Sequence, residues 1–305
     1  MSAGHSHSHG TATGAHRRRL VVVLVITMSV VGAQVVGGIV SGSLALLADA
    51  AHMLTDATGV AIALVASGLA ARPPTSARTY GLQRAEILAA LANALLLGGL
   101  AVWVVVEAVQ RWADPPEVAT GPMLVVAVLG GLANLVCLLI LRGGQSESLN
   151  VRGAYLEVLG DLVGSVAVIV AGVVIATTGY ARADVLASLA IGVFIVPRAW
   201  SLLRDVVDVL LEATPRGLDL DAVREHVREV PGVVDVHDLH AWTITSGVTA
   251  LSAHVVVDDD CITQGRSGAV LDSLEECLAG HFATEHCTFQ LEPVSHRPHE
   301  GVRHD

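Results

Sequence analysis

The 305-residue chain contains no lysine, and its 18 basic side chains are all arginine. Aromatic residues make up only 3%. Trp103, Trp112, Phe194 and Trp200 are too few for a complete interfacial belt, although Trp112 and Trp200 fall near the ends of apolar runs. The four cysteines, Cys137, Cys261, Cys277 and Cys287, are widely spaced and one lies in an apolar run. This excludes a close-knit disulfide framework and fits a reducing, cytosolic setting for the C-terminal part. No small-residue cleavage site ends the first apolar run, so that run is expected to be retained as a span. Neither a nucleophile constellation nor a phosphate-binding loop is visible. An enzyme or an ATP-driven pump is therefore disfavoured, and no cofactor is expected.

Apolar sequence is what the chain has in abundance. Hydrophobic residues reach 52% and the mean hydropathy is +0.61. That is too apolar for an ordinary soluble domain, yet the ends are too polar for membrane throughout. Six apolar runs of roughly 20 residues, the length that crosses a bilayer core, fall near 20–40, 45–70, 86–109, 122–141, 154–178 and 184–203. Threading them places Arg17, Arg18, Arg19, Arg72, Arg78, Arg84, Arg142, Arg152, Arg198 and Arg204 on one side and only Arg111 and Arg182 on the other. By the positive-inside rule both termini are cytoplasmic, in the inner or plasma membrane of a cell. Gly98, Gly99, Gly130, Gly131, Gly160 and Gly164 within the spans are expected to allow close helix packing.

Through Arg204 the chain carries 12 Arg against 10 acids, and the remainder carries 6 Arg against 19 acids. The net charge of −11 therefore comes from the tail. An acidic tail attracts cations and disfavours nucleic acid as a partner. Its pattern is that of a small soluble domain: a helix in LDLDAVREHVREV, strands in VVDVHDLHAWTI and VTALSAHVVVDD joined at Thr245-Ser246-Gly247, a helix in SGAVLDSLEECLAGHF, and a last strand in HCTFQLEP. The expected organisation is a His-rich cytosolic tail (1–19), an all-α six-helix transmembrane domain (20–204), an α+β domain of αββαβ order (205–294) and a flexible tail (295–305).

Two ionisable pairs interrupt the apolar runs. His52 and Asp56 in the second span, and Glu157 and Asp161 in the fifth, are each spaced i, i+4, which places both members on one helical face. Each such group costs roughly 2.5–3.5 kcal/mol at membrane depth on insertion scales, so its retention marks an ion path. One imidazole and three carboxylates suffice for a four-coordinate divalent-metal site. Asp49 extends the stripe on the second span one turn further and is expected to support the site or line a water path.

The stretches SGSLALLADAAHMLTDATG, YGLQRAEILAALANALLL, NVRGAYLEVLGDLVGS, LLEATPRGLDL and VPGVVDVHDLHAWTITSG resemble the cation diffusion facilitators, a family of metal/proton antiporters that export zinc and related ions. The resemblance covers nearly the whole chain. It implies a homodimer, a cytosolic metallochaperone-like (ferredoxin-like) domain that binds metal, and a membrane site of His52, Asp56, Glu157 and Asp161. It also implies an ionic interlock between Arg84 and Glu212. The common zinc-type pattern has His where this chain has Glu157, which shifts the ligand set toward oxygen and relaxes the preference for Zn²⁺ toward Mn²⁺, Fe²⁺, Co²⁺ or Cd²⁺. Zn²⁺ exported against protons remains the first expectation. A membrane metal sensor or buffer, and an ion channel, are the alternatives.

In the tail, His237, His240, His254, His281, His286, Cys287 and Glu292 are all able to bind metal. Period-two alternation puts His237 and His240 on opposite faces. By resemblance His237 and His254 are the expected ligands, followed by Glu292 and His286. His5, His7, His9 and His16 form an N-terminal tract able to hold metal weakly, echoed by His296, His299 and His304.

Overall fold

The computed structural model describes residues 9–142, 149–282 and 286–299. His5, His7 and His304 lie outside these residues, as do the side chains of His9, His16, His281 and His299. The chain divides into two compact units, Met1–Ala61 with Ala92–Ser201, and Ile62–Leu91 with Leu202–Asp305.

Six long helices account for the apolar runs: α1 (His9–Ser41), α2 (Leu44–Ala70), α3 (Ala85–Ala113), α4 (Thr120–Arg142), α5 (Leu149–Thr178) and α6 (Arg182–Leu210). Each contains 23 to 29 residues long and apolar enough to cross a membrane. They overrun their predicted ends, α1 and α6 the furthest. The first helix begins at His9, inside the segment expected to be a tail, and α6 continues to Leu210, beyond Arg204. Hydropathy ends where lipid ends, whereas a helix can go on satisfying its own backbone hydrogen bonds in the interface beyond.

The core of the first unit is built from Leu46, Leu97, Val104, Met123, Val168 and Ile195, all buried. Close approach is set by particular glycines. A Cβ on Gly37 would meet Val126 at 2.7 Å, and one on Gly172 would meet Leu124 at 2.7 Å. Gly98, Gly99 and Gly160 have nothing within 4 Å, so the packing role expected of them falls to other positions. The turn between α1 and α2 passes through Gly42 (φ 73°), a left-handed conformation suited to glycine. The first backbone N–H groups of α2 are then capped from a distant helix. Asp184 on α6 accepts from Ser43 Oγ (2.5 Å), Leu44 N (2.7 Å) and Ala45 N (3.3 Å). A buried carboxylate thus satisfies donors that no α2 carbonyl can reach.

In the second unit, α7 (Leu220–Arg228) is capped by Asp219, whose side chain accepts from Asp221 N and Ala222 N. The strands β1 (Val233–Thr245), β2 (Val248–Val257) and β3 (His286–Pro293) follow, with α8 (Asp259–Thr263) and α9 (Ser267–His281) between the second and third. The sheet order is β1-β2-β3, with β1 antiparallel and β3 parallel to β2. The order matches the expected αββαβ except for the short α8, and residues 294–299 close with a 3-10 turn where a flexible tail was expected from 295. Val223, Val227, Leu251, Val255, Leu274 and Leu278 form the core between sheet and helices.

One irregularity bears on the tail site. His237 pairs with His254 and His240 with Ser252, so β1 advances three residues while β2 advances two. Asp238 takes up the extra residue at φ 46°. This bulge breaks period-two counting between His237 and His240, and the alternation expected from sequence does not apply across it.

Candidate metal sites

On α2, His52 Nε2 lies 3.6 Å from Asp56 Oδ2, one helical turn away. On α5, Asp161 is buried and Glu157 half-buried. His52 Nδ1, Asp56 Oδ1 and Asp161 Oδ1 are all buried without a hydrogen-bond partner. Gln34 Oε1 and Asn134 Oδ1 in the same unit are also without partners, and bound water or a cation would satisfy such atoms. Asp49, His52 and Glu157 line a cavity of about 260 Å³, with Gly160, Gly164 and Arg198 among its other walls. Asp49 itself is fixed: Gln34 Nε2 on α1 donates to its Oδ2 at 2.6 Å, and its Oδ1 sits where a Cβ on Gly164 would be, 2.5 Å away. It lines the cavity with one carboxylate oxygen already bonded to Gln34.

Two participants were not anticipated from sequence. Gln34 is one. The other is Arg198 on α6, whose Nη1 donates to Asp56 Oδ2 at 2.9 Å and whose Nη2 donates to Glu157 Oε1 at 3.3 Å. Arg198 was counted above as an orientation marker outside the lipid, but it is a partner of two of the four expected ligands. The available signal was that the sixth apolar run, 184–203, encloses it. The four expected ligands are not drawn tightly together. Among the described residues, the only three or more His, Cys, Asp or Glu side chains with ligand atoms all within 4.8 Å of one another are in the tail.

That tail cluster is His237, His254 and Glu292. His254 Nδ1 lies 2.8 Å from Glu292 Oε1, and His237 Nε2 lies 3.3 Å from Glu292 Oε2. The other ring nitrogen of His237 is 2.8 Å from Asp238 Oδ2, a carboxylate contact that orients an imidazole for ligation. The bulge supplies that contact, because Asp238 is the residue that it displaces. Burial opposes ionisation of Glu292, but the hydrogen bond from Gln290 (2.6 Å) and the two imidazoles hold its carboxyl below the ordinary glutamate range. His286 does not join this cluster. It pairs with Ala250 in the β2–β3 register, four positions from the His254–Gln290 pair, which is roughly 13 Å along the strand. It packs edge-on against Tyr80 with ring centroids 5.8 Å apart. His240 is exposed and also lies outside the cluster.

Within the second unit, Arg84 Nη2 meets Glu212 Oε1 at 3.2 Å, the pair expected as an interlock. Glu212 sits at φ 57°, in the left-handed turn that closes α6. Thr245 Oγ1 donates to Glu86 Oε2 at 2.7 Å, two residues after Arg84, so the start of α3 is held at two points.

Six apolar spans with buried ionisable groups around a cavity define an integral membrane protein of the cation-carrier class. Comparison with known proteins agrees. The profile of the cation efflux transmembrane domain matches residues 20–211, and that of the cation efflux protein cytoplasmic domain matches residues 215–294. The metal cation efflux system protein CzcD of Cupriavidus metallidurans is 44% identical over 304 residues, spanning 100% of this chain and 94% of that protein. The zinc transporter ZitB of Pectobacterium atrosepticum is 41% identical, spanning 94% and 88%. The cadmium, cobalt and zinc/H(+)-K(+) antiporter of Bacillus velezensis is 37% identical, spanning 96% and 93%. The chain belongs to the cation efflux family, the cation diffusion facilitators, and is a multi-pass membrane transporter of metal cations.

Proposed function

We propose that this chain exports divalent transition-metal ions, Zn²⁺ first among them, from the cytosol in exchange for protons. Passage runs through the site of His52, Asp56, Glu157 and Asp161. The observation that carries this reading is the set of three buried, unpartnered ligand atoms on α2 and α5, beside a cavity lined by His52 and Glu157. A divalent cation satisfies such atoms, and protons on the same carboxylates satisfy them after it leaves, so the two ions compete for one place. The names of the relatives, a zinc transporter and a metal/proton antiporter, support both halves of the exchange. The Arg bias of the loops supports cytoplasmic termini, and the family resemblance supports a homodimer. His237, His254 and Glu292 form a second, tail site for the same class of ion.

The test is metal flux in proteoliposomes under an imposed pH gradient. Zn²⁺ movement should rise with a gradient that drives protons the opposite way and fall when the gradient is collapsed. Flux indifferent to the gradient would overturn the exchange, and binding without flux would favour a sensor. Preference for harder ions rests on Glu157, but the contact between its Oε1 and Arg198 leaves it less available as a free oxygen ligand. Zn²⁺ therefore stays ahead of Mn²⁺ and Fe²⁺.

A further inference from the structure

Asp56 Oδ2 is shared. It lies 3.6 Å from His52 Nε2 and accepts from Arg198 Nη1 at 2.9 Å. The guanidinium therefore occupies one oxygen of Asp56 and leaves Oδ1 open, while its other nitrogen holds Glu157. A carboxylate with one oxygen given to a guanidinium can offer a metal only the other, so two-oxygen coordination by Asp56 requires Arg198 to let go. The side chain of Arg198 is 48% exposed, so it can turn from Asp56 without unpacking α6. Charge points the same way. Asp49, Asp56, Glu157 and Asp161 bring four carboxyl groups to this region, and Arg198 is the cation that pairs with two of them. Without it the low-dielectric site would carry one more uncompensated negative charge, empty or loaded.

We propose that Arg198 is the fixed counter-cation of the membrane metal site: it bridges Asp56 and Glu157 in the empty site, and yields Asp56 to the entering cation while keeping Glu157. This rests on the membrane site proposed above. Glu157 is then a partner of Arg198, and the ligands proper are His52, Asp56 and Asp161. Arg198 is a positioning residue that sets the site's charge.

The discriminating experiment is a charge-compensation cycle on the full-length protein in proteoliposomes, reading Zn²⁺ affinity and initial flux. Glu157→Gln leaves the guanidinium without its second carboxylate beside the cation, and should weaken Zn²⁺ binding by about tenfold, the pair being part-exposed on both sides. Arg198→Gln combined with Glu157→Gln removes one charge of each sign and should restore affinity to within about threefold of the parent, since coupled sites fail additivity in this direction. Arg198→Lys keeps the charge and should retain flux. If Glu157 is simply a metal ligand, the double variant will be no better than Glu157→Gln, and the proposal is overturned. A Glu157→Gln protein that binds as well as the parent overturns it too. Asp161→Asn separates the two levels: if it transports normally, the membrane site itself is misplaced, whereas a dead Asp161→Asn with no rescue in the cycle rejects only the role of Arg198. Zn²⁺ affinity is compared on samples of matched Tm, so that rescue of folding alone does not count as rescue of binding.

Discussion

The two groups of metal-capable side chains differ in how finished they are. In the tail, three metal-capable side chains already stand within 4.8 Å of one another, and Glu292 is held between two imidazoles and an amide. A sheet supplies rigid positions, and the bulge at Asp238 adds an orienting carboxylate to His237. In the membrane unit, the groups sit on separate helices, leave three buried atoms unpartnered and share an arginine. Preorganisation favours tight, lasting binding, whereas a site that must release its ion to either side gains from being assembled by the ion itself. The contrast fits the proposed reading, with holding in the tail and passage through the helices.

The sharpest way to break that division is at Asp56. Asp56→Ala should lower Zn²⁺ flux by about a hundredfold or more, since it removes a buried carboxylate of the proposed site and one of the two that hold Arg198, as read by metal uptake into vesicles. Next, His237→Ala with Glu292→Gln should abolish the tail ion in a binding titration but reduce flux by about tenfold at most, the scale of coupling between distinct sites. A flux as low as that of Asp56→Ala would merge the two roles. A smaller effect is expected at Gly164. Alanine there would press a methyl group against Oδ1 of Asp49, whose Oδ2 is held by Gln34, so stability should fall by about 1–3 kcal/mol, seen as a lowered Tm of the purified protein. The smallest belongs to Arg84. Its pair with Glu212 is exposed on both sides, and Arg84→Ala should change stability by less than about 1 kcal/mol, an effect that shrinks further in high salt.

Much of this architecture was legible in the residues. Spans of apolar sequence gave six helices, and alternation with a Ser246-Gly247 turn gave the β1–β2 hairpin, because both signals are local and repeat many times. His52, Asp56, Glu157 and Asp161 stood out because ionisable groups inside apolar runs have few structural reasons to be there. What stayed hidden depends on contacts between distant segments or on a single displaced residue. Asp184 capping α2 joins residues about 140 apart in sequence. A bulge at Asp238 cannot be found by counting in twos, and it decides where His237 and His240 point. Arg198 was misplaced because a long basic side chain near a span end reads as a headgroup anchor, whichever way it turns in the fold.

Passage through the membrane cage, separate from holding in the tail, is tested most directly by Asp161→Ala, with Zn²⁺ stoichiometry and Zn²⁺ flux measured on the same reconstituted sample. The account predicts that the variant keeps the tail ion, loses the ion held by the helices and carries no flux. Flux at the parent rate in that sample would contradict it.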